Sequence, residues 1–191
     1  FTIVVTNTND APSISSTAVT SVDEDAAYSY TTTATDDDGD TVTLACTTVP
    51  AWLTCTAGAL SGTPDNDDVG SHSVVITATD GNGGSATDSF SIAVANTNDA
   101  PTITSTAVTA ATEDAAYTYT VTTADVDVND GVTLTGTTVP SWLTFTASTG
   151  VLAGTPLDAN VGDNAVVITA SDGDASVTDT FTIVVANTND A

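Results

Sequence analysis

The chain has 191 residues, which is too long for one small β-sandwich and suits two of about 100 residues each. It contains 25 Asp and Glu residues and no Lys or Arg, so its formal net charge is -25, and nucleic-acid binding through phosphate contacts is excluded. Clustered carboxylates repel one another unless a cation lies between them, so the charge predicts either a bound divalent metal or the acidic surface of a salt-adapted protein.

An internal repeat organises the chain. The pentapeptide Asn-Thr-Asn-Asp-Ala occurs at residues 7–11, 96–100 and 187–191. Between these marks the segments match in order, for example EDAAYSY with EDAAYTY and TTVPAWLTC with TTVPSWLTF. Such self-similarity is typical of tandem domains. We therefore predict repeat 1 at residues 12–95, a linker at 96–100, and repeat 2 with its trailing linker at 101–191.

Residues 1–11 precede the first repeat and are predicted to be the last strand and linker of a further repeat. The string FTIVV at 1–5 is identical to residues 181–185, which form the last predicted strand of repeat 2. Residues 1–6 therefore either complete a preceding repeat in a covalent array or act as a strand donated to a neighbouring subunit. Both alternatives imply head-to-tail continuation, and the ordinary linker that follows favours the first.

Within each repeat, short segments with period-two alternation are separated by Gly, Pro, Asp and Asn turns. Tyr28 with Tyr30, and Val74 with Ile76, each place alternate apolar residues on one face. No segment has the apolar 3.6-residue period of an amphipathic helix. With about seven predicted strands per repeat, we expect an all-β chain of two tandem Ig/cadherin-like Greek-key β-sandwiches arranged end to end.

Several single residues are predicted to be structural. Cys46 and Cys55, whose counterparts in repeat 2 are Gly136 and Phe145, are expected to form a disulfide between neighbouring strands, the alternative being a buried free pair. Trp52 and Trp142 are predicted to close one end of each core, with sugar binding as the alternative, and His72 is predicted to be a surface strand residue.

Acidic residues cluster in loops at corresponding positions of the two repeats. Such loops offer only hard oxygen ligands, of which calcium takes six to eight. The alternative for each carboxylate is a turn residue that caps backbone amides. The clusters lie at residues 23–25, 36–40, 65–68 and 80 in repeat 1, and at 113–114, 125–127, 158 and 172 in repeat 2.

These features together resemble tandem cadherin-like repeats, in the dystroglycan-type or "putative Ig" form of large bacterial surface proteins. The resemblance spans the chain and is carried by the linker VANTNDAP at 94–101, the loops ATDDDGD and TADVDVND, the strand ends ITATDG and ITASDG, and the segments VPAWL…SGTP and VPSWL…AGTP. It implies calcium at each junction, bound by a Glu of the upstream repeat, the linker, and a DxD loop and strand-end Asp of the downstream repeat.

Carried over residue by residue, the resemblance implies three ligand sets. The junction between the repeats would use Glu24, Asn96, Asn98, Asp99, Asp125, Asp127 and Asp172. The junction before repeat 1 would use Asn7, Asn9, Asp10, Asp36, Asp38 and Asp80. The junction after repeat 2 would use Glu113, Asn187, Asn189 and Asp190. The linker departs from the cadherin pattern at Asn96 and Ala100, where the family has Asp and Asn, so a full cadherin set of ions is not expected.

The function expected from this reading is structural. Calcium ions bridging successive repeats would make a stiff extracellular or cell-surface rod, either the stalk of an adhesin or a head-to-tail filament of further copies. A cell-adhesion or glycan-binding module is the alternative, and a spacer attached to a catalytic domain elsewhere is a third. No nucleophile, base or phosphate-binding pattern points to an enzyme. The many Ser and Thr residues leave O-linked glycan as a further possible partner, and no segment has the length of a membrane span.

Overall fold

The computed structural model describes residues 1–127 and 130–189. The chain forms two compact units, Phe1–Thr97 and Asn98–Ala191. Among the described residues, regular structure consists of β-strands and two short 3₁₀ segments, Asn66–Asp68 and Asp158–Asn160. The prediction of an all-β chain of two tandem Ig-like sandwiches is confirmed. In the part of the chain described, no helix is long and apolar enough to cross a membrane.

Unit 1 is built of two sheets and a small additional pair. Its strands are β1 (Ser13–Ile14), β2 (Ser21–Asp23), β3 (Tyr28–Thr31), β4 (Ala34–Thr35), β5 (Thr43–Thr48), β6 (Leu53–Thr56), β7 (Ala59–Gly62), β8 (Gly70–Thr79) and β9 (Ser85–Ala95). The four-stranded sheet has the order β2-β9-β8-β5, the three-stranded sheet the order β3-β7-β6, and β1 pairs with β4. Only β2 and β9 pair in parallel, so both strands end at the same end of the unit.

Unit 2 repeats this topology in its described residues. Its strands are β10 (Thr102–Ile103), β11 (Ala110–Thr112), β12 (Tyr117–Thr120), β13 (Thr123–Ala124), β14 (Thr133–Thr138), β15 (Leu143–Thr146), β16 (Val151–Gly154), β17 (Gly162–Ser171) and β18 (Ser176–Ala186). The sheets have the orders β11-β18-β17-β14 and β12-β16-β15, and β10 pairs with β13. As in unit 1, the first strand of the four-stranded sheet, β11, pairs in parallel with the last strand, β18.

The core of each unit follows from the alternation of apolar side chains. In unit 1, Val74, Ile76 and Ile92 of the four-stranded sheet are fully buried and pack against Tyr28 and Tyr30 of the other sheet. The intervening residues of β8 and β9 point outward and are mostly Ser and Thr. Unit 2 has the corresponding core of Tyr117, Tyr119, Val166, Ile168 and Ile183. The hydroxyl groups of Tyr28 and Tyr117 donate hydrogen bonds to backbone carbonyls at the margin of the core, so these side chains bury their rings without losing a hydrogen bond.

Cys46 and Cys55 form the predicted disulfide, with their Cα atoms 6.3 Å apart. The bridge joins β5 of one sheet to β6 of the other, and so it links the two layers of the sandwich rather than two strands paired in one sheet. In unit 2 the Phe145 ring fills this space, because a Cβ added at Gly136 would lie 3.1 Å from Phe145 Cδ1. The two repeats therefore close the same part of the interlayer space by different means.

The prediction for His72 was wrong. The side chain is half-buried and packs edge-on against Trp52, with ring centroids 6.0 Å apart, while its Nε2 lies 2.5 Å from the Asp68 carbonyl oxygen. Its register places it opposite Ile92, on the inward face of β8. Both tryptophans pack edge-on against core tyrosines, as expected of residues that close one end of a core.

Candidate metal centres

The linker that enters unit 1 is bound directly by two acidic loops. The side-chain amide of Asn7 donates to Asp38 Oδ1, and the backbone N–H of Asp10 donates to Asp38 Oδ2 over 2.6 Å. The side-chain amide of Asn9 donates to Asp80 Oδ2 over 2.8 Å. We call the six predicted residues at this end the linker cluster of unit 1: Asn7, Asn9, Asp10, Asp36, Asp38 and Asp80.

Local backbone geometry shapes the loop between β4 and β5. Asp36 Oδ1 accepts the backbone N–H of Asp38 over 2.9 Å, and Gly39 has a φ of 78°, which an L side chain rarely adopts. As a result, carboxylate oxygens of Asp36, Asp38 and Asp40 all lie within 4.8 Å of one another. Asp36 Oδ2 is buried and has no hydrogen-bond partner in the part of the chain that the structure describes. The loop thus concentrates negative charge around at least one unsatisfied oxygen.

Unit 2 has the same arrangement, which we call the linker cluster of unit 2: Asn98, Asp99, Asp125, Asp127 and Asp172. The backbone N–H of Asp99 donates to Asp127 Oδ2 over 2.7 Å, and the side-chain amide of Asn98 donates to Asp172 Oδ2 over 3.2 Å. The backbone N–H of Asp127 donates to Asp125 Oδ1 over 3.0 Å. Asp127 is only 5% exposed, and among the described residues neither Asp127 Oδ1 nor Asp125 Oδ2 has a hydrogen-bond partner.

Hydrogen bonds keep several of these carboxyl groups ionised. The side-chain amide of Asn9 lowers the pKa of Asp80, and backbone N–H donors of the β8–β9 turn add to the effect. The side-chain amide of Asn7 likewise lowers the pKa of Asp38, followed by the N–H of Asp10. The linker therefore stabilises the charged form of the carboxylates it contacts.

In unit 2 the pKa of one carboxyl group is lowered and that of another is raised. The backbone N–H of Ala175 lowers the pKa of Asp172, whereas desolvation and the nearby carboxylates of Asp127 and Asp125 raise the pKa of Asp130. Repulsion from these carboxylates thus adds to desolvation in raising the pKa of Asp130. A bound cation would remove that repulsion.

The opposite end of each unit carries a buried glutamate. Glu24 follows β2 and is 2% exposed, and its N–H donates to the Ala95 carbonyl at the end of the adjacent β9. Glu24 Oε1 accepts the N–H of Thr97 over 2.5 Å, and its Oε2 is buried with no hydrogen-bond partner within residues 1–127 and 130–189. Glu113 is equally buried, and its Oε2 accepts the N–H of Thr188 over 3.0 Å. The predicted upstream glutamate is therefore held against the chain that leaves each repeat.

The remaining predicted ligands follow the last strands. Asn96 is exposed directly after β9, and Asn187 is exposed after β18, where its side-chain amide donates to the Thr188 carbonyl. Asn189 is also exposed, and the predicted ligand Asp190 lies outside the described residues.

Asp40 lies in the predicted acidic cluster at residues 36–40 but was not among the predicted ligands, and Asn82 was not predicted at all. Asp40 joins Asp36 and Asp38 in the same oxygen group, and Asp40 Oδ2 accepts the side-chain amide of Asn82 over 2.8 Å. The spacing Asp-x-Asp-x-Asp at residues 36–40 was a usable signal, since alternate loop residues can turn toward one centre. Asn82 gave no such signal, because its contact depends on the fold of the β8–β9 turn.

The residues of the linker clusters suit a hard cation. All their side chains offer oxygen from carboxylate or amide groups, and no Cys or His lies among them. Buried carboxylate oxygens without a partner are energetically costly unless a cation or another donor satisfies them. Calcium prefers six to eight oxygen ligands in flexible geometry, whereas magnesium requires a near-ideal octahedron. The donor set therefore fits calcium better than magnesium, zinc or copper.

Comparison with known proteins supports the fold. A family described as "Putative Ig domain" (He_PIG) matches residues 11–95 and 100–186. The structure titled human Protocadherin-24 EC1-2 Form II is 16% identical, covers 95% of this chain and 100% of that chain, and gives a TM-score of 0.56. The structure titled PcdhgB3 EC1-4 is 18% identical, covers 94% of this chain and 50% of that chain, and gives a TM-score of 0.63. At these identities the likeness concerns the fold alone, and it confirms the resemblance to cadherin-like repeats.

An enzyme structure also aligns. The endo-fucoidan hydrolase MfFcnA4 from glycoside hydrolase family 107 is 27% identical over 94% of this chain, with a TM-score of 0.42. This chain spans 29% of the length of that enzyme. No curated protein sequence matches the chain significantly.

Proposed function

This chain belongs to the He_PIG family, described as Putative Ig domain, and we propose that it is a non-catalytic structural segment of an extracellular or cell-surface array whose repeats are joined and stiffened by calcium. The observation that carries the proposal is that Asp125 Oδ2 and Asp127 Oδ1 are buried and have no hydrogen-bond partner among the described residues, beside a linker that is itself bound to the loop.

Each repeat offers oxygen ligands at both ends. The linker cluster lies where the chain enters a unit, and the buried glutamate lies where the chain leaves it. We propose that calcium at a junction is shared by the glutamate of the upstream repeat, the linker and the linker cluster of the downstream repeat. The proposed set at the central junction is Glu24, Asn96, Asn98, Asp99, Asp125, Asp127 and Asp172.

The same assignment extends to the outer junctions. We propose that the linker cluster of unit 1 binds calcium together with a glutamate of a preceding repeat, and that Glu113, Asn187, Asn189 and Asp190 contribute to a following one. An ion with ligands on both sides of a linker restricts the rotation of that linker, so the array becomes a rod. Because the carboxylates recur at corresponding positions of both repeats, a structural role explains them better than catalysis at one site.

Calcium would also offset the large negative charge. At -25 with no Lys or Arg, the chain has no permanent positive side chain to neutralise its acidic loops. Binding to the folded form alone stabilises it by mass action, by about 2.7 kcal/mol per site at a free concentration one hundred times Kd. Removal of calcium should therefore lower the free energy of unfolding and, at the same time, increase the range of linker motion.

The proposal is tested by calorimetric titration of the intact chain with calcium, combined with thermal melting and small-angle scattering in calcium and in chelator. We expect calcium to bind, to raise Tm and to narrow the distribution of solution dimensions. Asp127→Asn should weaken binding at least tenfold, whereas Asp163→Asn, which neutralises an exposed carboxylate on β17, should not. Absence of a binding signal, with identical Tm in calcium and chelator, would reject the proposal.

A further inference from the structure

The β8–β9 turn of unit 1 contains the one place in the sequence where Asn is followed by Gly, at Asn82 and Gly83. The backbone nitrogen of the next residue can attack the Cγ atom of an Asn side chain, and Gly hinders this attack least because it has no Cβ and rotates freely. Every other Asn of the chain precedes Thr, Asp, Val or Ala. The dipeptide therefore marks a chemically reactive position.

The turn leaves this dipeptide accessible. Asn82 and Gly83 are both exposed. Apart from its chain neighbours, no atom of the described residues lies within 4 Å of a Cβ built on Gly83, whose φ is 111°. The backbone can therefore rotate at this point, and water can reach the amide, without a clash with other elements of the fold.

Two hydrogen bonds define the environment of Asn82. Its side-chain amide donates to Asp40 Oδ2 over 2.8 Å, and its backbone N–H donates to Asp80 Oδ1 over 2.7 Å. Asp40 belongs to the oxygen group of Asp36, Asp38 and Asp40, whose carboxylate oxygens lie within 4.8 Å of one another. The amide is thus a neutral donor at the margin of three carboxylates.

Repeat 2 has acidic residues at both corresponding positions. Asp174 lies at the position of Asn82 and donates its backbone N–H to Asp172 Oδ1, also over 2.7 Å. Asp130 corresponds to Asp40, since each lies two residues before a Val-Thr-Leu segment. The turn therefore accepts a carboxylate in place of the amide while it keeps the same backbone hydrogen bond.

We propose that Asn82 is a site of spontaneous deamidation that converts its side-chain amide into a carboxylate beside Asp40. The backbone nitrogen of Gly83 forms a bond to the Cγ atom of Asn82 and gives up its proton, while the Cγ–Nδ2 bond breaks and ammonia leaves with that proton. Water then opens the cyclic imide at one of its two carbonyl carbons. One water is consumed and one ammonia is released, with no oxidant or reductant.

Both possible products add a negative charge to the oxygen group. Opening at one carbonyl gives Asp, opening at the other gives its β-linked isomer, and each carries a new carboxylate. The hydrogen bond from Asn82 to Asp40 is lost in either case. Because like charges repel unless a cation lies between them, repeat 1 should be less stable in chelator after the reaction. The further expectation that the new carboxylate strengthens calcium binding rests on the proposed function.

The reaction is measured on the intact, isotope-labelled chain held at mildly alkaline pH in chelator. NMR follows the side-chain amide signals of each Asn, and mass spectrometry of chymotryptic peptides locates the mass gain, because the chain has no Lys or Arg for trypsin to cut. The signals of Asn82 should disappear while those of Asn164 persist, since the Asn164 side chain is held by Trp142 and the Asn160 carbonyl. Equal persistence of the two sets of signals would overturn the proposal.

Two variants test whether the Gly83 nitrogen is the attacking group. Asn82→Gln retains an amide but places it one carbon further along the side chain, so its amide signals should persist. Gly83→Ala adds a methyl group beside the attacking nitrogen and should slow the loss of the Asn82 signals. Loss at the wild-type rate in both variants would overturn the proposed route.

The consequence is measured on Asn82→Asp, which reproduces one product, beside Asn82→Ala, which removes the amide without adding charge. In chelator, Tm should fall in the order wild type, Asn82→Ala, Asn82→Asp, and equal Tm of the two variants would overturn the predicted repulsion. In calorimetric titration, Asn82→Asp should bind calcium more tightly than Asn82→Ala. If none of these proteins binds calcium, the proposed function fails, whereas selective loss of the Asn82 signals still supports the deamidation.

Discussion

Asn9 and Asp80 are joined by a 2.8 Å hydrogen bond from the asparagine amide to a carboxylate oxygen, across 71 positions of sequence. Asp80 is only 5% exposed, so this contact fixes the linker to the β8–β9 turn at the edge of the core. In a chain without Lys or Arg, the neutral amide supplies the side-chain donor for this carboxylate. The linker is therefore part of the folded repeat that follows it.

Acid stability should depend on this contact. The Asn9 amide lowers the pKa of Asp80, so the ionised form contributes stability above the ordinary carboxyl pKa, and this stability is lost as pH falls through the lower pKa of the folded state. Asn9→Ala should raise the Asp80 pKa and move acid unfolding of repeat 1 to higher pH. NMR titration of the Asp80 carboxyl carbon in chelator measures the shift. Asn82→Ala, which removes an amide from Asp40 instead, is the control, and an equal Asp80 shift in both variants would contradict the assignment.

The disulfide of repeat 1 should be partly replaceable by the arrangement of repeat 2, in which Phe145 packs against Gly136. Removing it by Cys46→Ala with Cys55→Ala should lower the free energy of unfolding of repeat 1 by about 2–3 kcal/mol, because a loop of this length is no longer closed in the unfolded chain. Cys46→Gly with Cys55→Phe should recover part of that loss, since Phe145 packs over Gly136 in the second repeat. Denaturant unfolding with both variants provides the measurement, and equal stability of the two would show that the ring does not substitute for the bridge.

His72→Asn should stabilise repeat 1 by about 1 kcal/mol. Trp52 Nε1 is buried and has no hydrogen-bond partner among the residues that the structure describes, whereas Trp142 Nε1 donates to Asn164 Oδ1 over 2.9 Å. The Asn164 amide also donates to the Asn160 carbonyl over 2.8 Å, a contact that corresponds to the one His72 makes with Asp68. An asparagine at position 72 can therefore satisfy both groups.

Thermal melting measures this effect, and the reciprocal Asn164→His should destabilise repeat 2. A lower Tm for His72→Asn would mean that the edge-on contact of His72 with Trp52 outweighs the new hydrogen bond.

Alkaline unfolding should involve the core tyrosines. Burial, followed by the proximity of Tyr30, raises the pKa of Tyr28 to about 12, and burial together with Tyr119 raises the pKa of Tyr117 to about 12. Since the unfolded chain ionises near 10, stability is unaffected below that pH and is lost as pH rises toward 12. Phenolate absorbance should rise together with unfolding. Tyr28→Phe should remove this alkaline sensitivity from repeat 1 while leaving that of repeat 2.

Much of the fold could be predicted from the sequence because it depends on local patterns. The alternation around Tyr28 and Ile76 predicted which side chains enter the core, and the recurrence of matching segments predicted two similar units. His72 was placed incorrectly because its burial depends on contact with Trp52, twenty residues away and on another part of the sandwich. No periodicity within β8 marks that contact.

The candidate site was predictable to a lesser degree. The DxD loops and the linker motif pointed to residues that the structure places at one end of a unit, but the bonds that join Asn7 to Asp38 and Asn9 to Asp80 depend on how three separate loops meet there. Asp40 joined the oxygen group because Gly39 turns the loop through a positive φ. Residue types thus indicated the chemistry, while the tertiary fold selected the participants.

The bridge between Cys46 and Cys55 also has a mechanical consequence. Nine residue steps of extended chain span about 30 Å, whereas the Cα atoms at the two ends of this loop are 6.3 Å apart. A repeat pulled open from its ends would keep that length in reserve until a reductant cut the bridge. Repeat 2 has Gly136 and Phe145 at these positions and no bridge between them, so unfolding under tension would release the full length of its chain. The two otherwise similar repeats would therefore lengthen by different amounts.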